Sequence, residues 1–353
     1  MVPNMTWQNL VGHQQLFDRF LRSHQNNRLA NTYLFVGPEG IGKKQFALNL
    51  AKALFCRQAM SDLVPCGACP NCLQVANLEH PDLILVSKPE DKNFIPVELF
   101  LGDREHRRRK GLCHDIHLTP FAADRKVAII DDADYLNAES ANSLLKTLEE
   151  PPPNSLLILI GTSEHRQLPT ILSRAQVVRF QALSNSDLKQ VLSSQPMPRE
   201  VDLEKLINPS AGSVSRALLL DNESLFAFRG QLLGQLMTSD PAQNGFAKSV
   251  CDFVEGISKE SSVRRQYLRL IADFTIQTCS EVIRCEDETD SNDAHQLRTG
   301  LDANGRATEV AADWIDRTIS FQRQVDANMA MANIVPHWLN DLGAIARQEK
   351  VLA

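Results

Sequence analysis

The sequence predicts an α/β domain, with a parallel sheet covered by helices on both faces, then a small helical domain and an all-helical C-terminal region. Three observations carry this reading. Five short apolar runs, Tyr33–Val36, Leu83–Val86, Val127–Ile130, Leu156–Ile160 and Val177–Phe180, alternate with helical segments. Strand signals stop after Phe180. From about Asn222 onward the apolar spacing is helical throughout. The domain limits drawn from this are 1–180, 181–221 and 222–353.

The first strand runs into Gly37-Pro-Glu-Gly40-Ile-Gly42-Lys43-Lys44, and an apolar-periodic helix from Phe46 to Leu54 follows. That strand–loop–helix context is what a phosphate-binding loop requires. Its glycines free backbone N–H groups to turn toward phosphate oxygens, the helix N-terminus adds positive potential, and Lys43 reaches the outer phosphates. The position after that lysine ordinarily carries a Ser or Thr whose hydroxyl holds Mg²⁺. Here it is Lys44, and an ammonium cannot ligate a cation. The loop is therefore expected to bind nucleotide and to hydrolyse it poorly.

Cys56, Cys66, Cys69 and Cys72 come next, spaced C-x₉-C-x₂-C-x₂-C within a module spanning 56–72. Four thiolates so close match a tetrahedral structural zinc site with no open position. A redox Cys-x-x-Cys pair would leave two of the four unexplained. His80 and the Cys113-His114-x-x-His117 group are weaker metal candidates, and Cys251, Cys279 and Cys285 read as core or surface.

The strand Val127–Ile130 ends in Asp131-Asp132-Ala133-Asp134. This places one acid for a metal shell and a second to polarise an attacking water. The second acid is ordinarily Glu; Asp132 is one methylene shorter, and misplacing such a group by about 1 Å costs about 10²-fold. A solvated acidic turn is the rival reading of the run by itself. Leu156–Ile160 leads to Gly161-Thr162-Ser163, where a hydroxyl could sense a phosphate. Ser173-Arg174-Ala175 puts an arginine at the domain edge, where it could reach a neighbouring subunit's nucleotide or form a surface ion pair. Arg216 lies on a helix of the small domain, facing phosphates or solvent.

Ser184 is placed to cap a helix over Ser184–Ser193, with Asp202–Ile207 and Ser213–Leu220 after it. The C-terminal helices are Glu223–Thr238, Gly245–Ile257, Ser261–Arg284, Ala307–Asn328 and Ala332–Arg347. The polar stretch Cys285–Asn304 reads as a loop or hairpin.

The bulk numbers narrow the function. With 353 residues, 43% of them hydrophobic, several packed domains are expected. The net charge of −6 argues against an extensive nucleic-acid grip. The basic run Arg104-Glu-His-Arg107-Arg108-Arg109-Lys110 is the local exception, read as a solvated face or a phosphate or acidic-partner contact. No stretch of about 18 apolar residues exists and no signal-peptide design opens the chain, so a soluble cytoplasmic protein is expected.

The run Asn142-Ser-Leu-Leu-Lys-Thr-Leu-Glu149-Glu-Pro-Pro-Pro153 resembles the signature that follows the acidic strand in bacterial clamp-loader ATPases. Trp7–Gln14, Asn27–Phe35, the cysteine module, His80-Pro81-Asp82 and Ser173-Arg174 fall in that family's order. On these residues the chain resembles the subunits of the bacterial DNA polymerase III clamp loader, the delta-prime type among them. The resemblance is close over residues 5–220; beyond that it lies in helical character, with Asn328 to Leu342 similar to the family's last helix.

The resemblance implies an AAA+ P-loop domain with an inserted zinc module, a helical lid and an all-α collar. It implies a pentameric ring with motor ATPase subunits and a delta-like subunit, which loads a sliding clamp onto primed DNA during replication. No membrane partner is implied. Carried over, Gly37, Gly40, Gly42, Lys43 and Lys44 form the phosphate loop, and Asp131 and Asp132 are the metal and water acids. Thr162 is the first sensor, with Ser163 as the alternative. Arg174 is the finger acting in trans, Arg216 the second sensor, and the four cysteines hold Zn²⁺. ATP or ADP is the implied ligand, while Lys44 puts Mg²⁺ in doubt. Lys44 and Asp132 degrade this subunit's own site, and Ala175 in place of Cys leaves Arg174 intact. That asymmetry fits a delta-prime stator with weak or absent ATPase better than the alternative, an active gamma/tau-like motor of the same holoenzyme. A small-molecule kinase or a thiol oxidoreductase would give no reason for Arg174 or the Leu144–Glu150 run.

Overall fold

A computed structural model describes residue 7 and residues 10–347, apart from 60–61, 104, 106–108, 195–202, 239–240, 242–244, 285–291, 302–305 and 328. Most of the basic run 104–110 lies outside the described residues. The chain forms two compact units, Met1–Leu218 and Leu219–Ala353.

The first unit runs α1 (Gln14–Gln25), β1 (Thr32–Val36), α2 (Lys43–Phe55), α3 (Pro70–Ala76), β2 (Leu83–Val86), α4 (Glu98–Leu101), α5 (Leu112–Asp115) and β3 (Lys126–Ile130). It continues with α6 (Ala138–Glu149), β4 (Ser155–Gly161), α7 (Pro169–Leu172), β5 (Gln176–Arg179), α8 (Asn185–Ser194), α9 (Leu203–Ser210) and α10 (Val214–Leu220). The five strands are all parallel, in the order β2-β3-β4-β1-β5. All five predicted strands are present, to within a residue or two at their ends.

Every residue of β1, β3 and β4 is buried, which is why these strands read as unbroken apolar runs. Successive side chains leave opposite faces of the sheet. Tyr33 and Phe35 join Phe17, Phe20, Phe46 and Phe180 on one face. Leu34 and Val36 join Ile130, Leu144, Leu159 and Ile171 on the other. Phe46, from the helix after the phosphate loop, meets Phe35 at 5.8 Å, Phe180 at 5.2 Å and Trp7 at 4.8 Å between ring centroids. These contacts fix α2, and with it the loop, against the sheet.

After β5 the chain turns helical. Ser184 caps α8 as expected, its Oγ accepting from Asp187 N at 3.1 Å. Leu183, Leu188, Leu192, Ile207 and Ala217 form a small separate core under α8–α10.

The second unit is helical: α11 (Glu223–Leu236), α12 (Phe246–Ile257), α13 (Ser261–Arg284), α14 (Asn292–Leu301), α15 (Ala307–Asp326) and α16 (Met331–Ala346). Trp314 donates from Nε1 to Leu342 O at 2.9 Å, and Trp338 donates to Thr318 Oγ1 at 3.1 Å while stacking on Phe321. Arg269 Nε donates to Asp326 Oδ1 at 2.8 Å, tying α13 to α15. The expectation of a loop across Cys285–Asn304 is corrected here: 292–301 is α14. Ala294 and Leu297, three apart, are both buried and supply an apolar stripe that polar neighbours hide. Residues 285–291 and 302–304 of that stretch lie outside the described residues.

Candidate functional site

The phosphate loop joins β1 to α2 at the C-terminal edge of the sheet, where open α/β sheets bind ligands. Gly37, Gly40 and Gly42 all have positive φ, and Gly42 is the left-handed residue opening α2. Gly40 is required twice over. Its φ is 72°, and a Cβ would collide with Ser213 Oγ and Ser215 Cβ at the start of α10. Its carbonyl accepts from Val214 N at 2.9 Å, so α10 packs directly on the loop. His13 Nε2 lies 2.7 Å from Ile41 O, and burial lowers the pKa of its ring.

Lys43 is buried, with 7% of its surface exposed. Its Nζ donates to Gly37 O at 2.6 Å and to Pro38 O at 2.5 Å, folding back over the cradle. Burial lowers the pKa of this ammonium, against the pull of Glu39, Asp134, Asp131 and Asp132.

Lys44 stands on the exposed side of the first turn of α2. Its Nζ lies 3.0 Å from Asp131 Oδ2. Both partners are partly exposed, so the pair adds at most about 1 kcal/mol to stability. Its meaning is chemical: the carboxylate that would face Mg²⁺ faces an ammonium. A dication and an ammonium about 4 Å apart repel by roughly 8 kcal/mol at an effective dielectric of 20. These residues do not fit Mg²⁺.

Asp132 N donates to Asp131 Oδ1 at 3.1 Å, and Asp132 has a left-handed φ of 58°. Burial first, and then the Asp131 charge, raise its carboxyl pKa to about 6. Asp134 turns inward instead. It accepts from Thr162 Oγ1 at 2.6 Å, from Thr162 N at 2.9 Å and from Gln167 Nε2. Thr162 thus sits at the end of β4 with its hydroxyl engaged, and Thr162 O accepts from Gly37 N at 3.1 Å. A Cβ on Gly161 would strike Gln167 and Asp134. Asp134 and Gln167, which the sequence reading did not single out, hold this strand end; the third acid of Asp131-Asp132-x-Asp134 was the available signal. Ser163 is half-buried beside them.

Arg174 follows α7. Its Nε and Nη2 donate to Glu149 Oε1 at 3.0 and 2.6 Å, and its Nη1 to Thr170 O at 3.0 Å. Glu149 belongs to the Leu-Glu-Glu-Pro run and was not foreseen as its partner. Arg216 lies in the first turn of α10, its backbone N donating to Ser213 Oγ at 3.2 Å. The structure thus brings the loop, the Asp131–Asp134 cluster, Thr162 and α10 together, and leaves Arg174 paired at Glu149.

The four cysteines converge, their sulfurs all within 4.8 Å of one another. Cys56 and Cys69 sulfurs are 3.9 Å apart, and those of Cys66 and Cys72 are 4.0 Å apart. A tetrahedron with Zn–S bonds of about 2.3 Å has edges of about 3.8 Å, so the set fits zinc. Backbone N–H groups of Cys66 and Cys69 point at Cys56 and Cys66 sulfurs, each at 3.3 Å. Backbone donors from Ala68 and Cys69 lower the Cys66 thiol to about 6, while burial raises those of Cys56 and Cys72. Pro70 opens α3 directly after Cys69, and Asn71 Nδ2 donates to Phe55 O at 2.7 Å, tying α3 to the end of α2.

The weaker metal candidates do not join. Among the described residues, only the four cysteines form such a cluster. His80 stacks on Phe55 at 4.3 Å, its Nδ1 accepting from Asp82 N. Asp82 is fully buried and accepts from Phe121, Ala122 and Ala123 N at 2.7–2.8 Å and from Lys126 Nζ at 3.3 Å. Burial alone would raise its pKa; these donors reverse that and hold the carboxyl below its ordinary value. His80-Pro81-Asp82 is therefore a structural clasp on the loop before β3. Cys113 donates to Ser143 O, and His117 Nδ1 lies 2.7 Å from Cys113 O.

Residues 12–184 match the protein family described as DNA polymerase III, delta subunit. Over 205 residues the chain is 33% identical to the DNA polymerase III subunit delta' of Bacillus subtilis (strain 168), covering 58% of each protein. It is 31% identical over 228 residues to the DNA polymerase III subunit tau/gamma of Haemophilus influenzae, covering 62% of this chain and 31% of that one. The matches thus span less than two thirds of these relatives' own length. A solved gamma-subunit-related protein from Thermotoga maritima overlays with a TM-score of 0.42 at 17% identity, covering 95% of this chain and 98% of that one. The delta' match makes the matched segment delta-prime-like.

Proposed function

We propose that the chain is a delta-prime-like stator of a DNA polymerase III clamp loader. In this reading it holds ATP or ADP, hydrolyses it weakly or not at all, and lends Arg174 to a neighbouring motor subunit's site. It acts in the cytoplasm within a pentameric ring that includes a delta-like subunit and loads a sliding clamp onto primed DNA. The helices at 181–221 serve as a lid, 222–353 as the ring-forming collar, and zinc as a structural ion at Cys56, Cys66, Cys69 and Cys72.

The observation that carries the reading is the 3.0 Å pair between Lys44 and Asp131 beside an intact Lys43. A motor needs the metal that this pair excludes. Thr162 and Arg216 border the same loop and keep their sensor roles in this account. The tau/gamma relative supports a second reading, an active motor subunit of the same complex.

Arg174 tests the stator reading. As a finger it must leave Glu149 for a neighbour's phosphates, where such an arginine contributes about 10³–10⁵ in rate at the site it serves. Co-purification with the other loader subunits, followed by clamp-loading ATPase with Arg174→Ala, is the experiment. The variant should assemble and lose the activity of one interface. Failure to co-purify, or unchanged activity in an assembled complex, would count against the proposal.

A further inference from the structure

The misfit between this site and Mg²⁺ has a chemical corollary. A phosphate loop without a metal still faces a polyanion, and something must carry the missing positive charge. Lys44 is the group at hand: its ammonium lies 3.0 Å from the carboxylate that would otherwise face the metal. It stands one residue after Lys43, on the first turn of α2, where N–H groups and the helix dipole already favour anions. Its side chain is 49% exposed, so it is free to swing between Asp131 and a phosphate at little cost.

We infer that Lys44 takes the divalent cation's place, and that the loop binds a nucleoside diphosphate free of metal. The charge balance selects the diphosphate. An ordinary site offers one lysine and a dication, less one carboxylate, to a triphosphate. Here two lysines, less the carboxylate of Asp131, offer one positive charge fewer. A diphosphate carries one negative charge fewer and restores the balance. The inference rests on the nucleotide-holding part of the proposed function and goes beyond it by naming the ligand's form.

The test is calorimetric titration of the full chain with ADP and with ATP, with and without millimolar Mg²⁺. Magnesium is removed from protein and nucleotide by dialysis, without a chelator, so that the cysteine cluster keeps its metal. Wild type should bind ADP with affinities agreeing within about twofold in the two conditions, and should bind ADP at least about tenfold more tightly than ATP without Mg²⁺. Lys44→Thr should lose about tenfold in ADP affinity without Mg²⁺ and recover it when Mg²⁺ is added. Lys44→Met, which keeps the aliphatic stem, should lose the affinity and not recover it. Should either variant fail to fold, the wild-type pair of titrations decides alone.

Wild-type binding that requires Mg²⁺ would overturn the inference, as would a preference for ATP or no nucleotide binding at all. None of these decides the arginine-donating part of the proposed function, which assembly and Arg174→Ala test separately. Mg²⁺-dependent binding with steady ATP turnover would overturn both.

Discussion

At the scale of single residues, three side chains differ from what their types suggest. Asp132 follows the end of β3, where a carboxylate would ordinarily be ionised, yet burial and Asp131 raise its pKa to about 6. Its folded value lies above its unfolded one, so the charged form is penalised. The penalty is fully present above about pH 6, shrinks as pH falls through that value, and is gone below the unfolded pKa. A shift of about two units is worth roughly 3 kcal/mol at most, and solvent screening cuts this to about 1–2 kcal/mol. Asp132→Asn should therefore stabilise the fold by that amount at pH 8 and leave it unchanged at pH 3 in denaturant titrations. Asp82 behaves in the opposite sense. Its folded pKa is depressed, so its contribution is present above the unfolded value and is lost as pH falls through the folded one. Asp82→Ala would strand three backbone donors and the buried Lys126, at a cost of about 3–5 kcal/mol; a loss below about 1 kcal/mol would refute the clasp. Lys44 was legible as a departure from its motif, because the spacing around it is strict. Its partner was not, since an ion pair between residues 44 and 131 depends on how β3 lies beside α2.

Among the elements, the strands were the most legible. A parallel strand covered on both faces is a near-continuous apolar run, and β1, β3 and β4 are apolar after their first residues, Thr32, Lys126 and Ser155. The cysteine module was legible for a different reason: thiol spacing survives translation into space when a tight turn and a helix N-terminus carry it. Zinc should be present at near one equivalent in purified protein, and a strong chelator or Cys72→Ser should lower the melting temperature by several degrees. Four freely titrating thiols in metal-free, fully stable protein would refute this. Helix α14 was not legible, because two buried apolar residues among polar ones give too faint a periodicity, and its burial depends on α13 and α15. The roles of Thr162 and Arg174 were half legible. Their positions at a strand end and a domain edge could be read, but Asp134 and Glu149, the carboxylates that engage them, come from elsewhere in the chain.

At the scale of the whole molecule, the proposed function is a division of labour between subunits. In the proposed reading, the loop at Gly37–Lys44 holds phosphates, the Lys44–Asp131 pair takes the place of a metal, and Arg174 serves another subunit's site. In the same reading the helical unit Leu219–Ala353 is the assembly surface. Steady-state ATPase of the purified chain in Mg²⁺ tests the central claim most directly. The account predicts turnover at background, unchanged by Lys43→Ala. Robust Mg²⁺-dependent turnover that Lys43→Ala abolishes would contradict it.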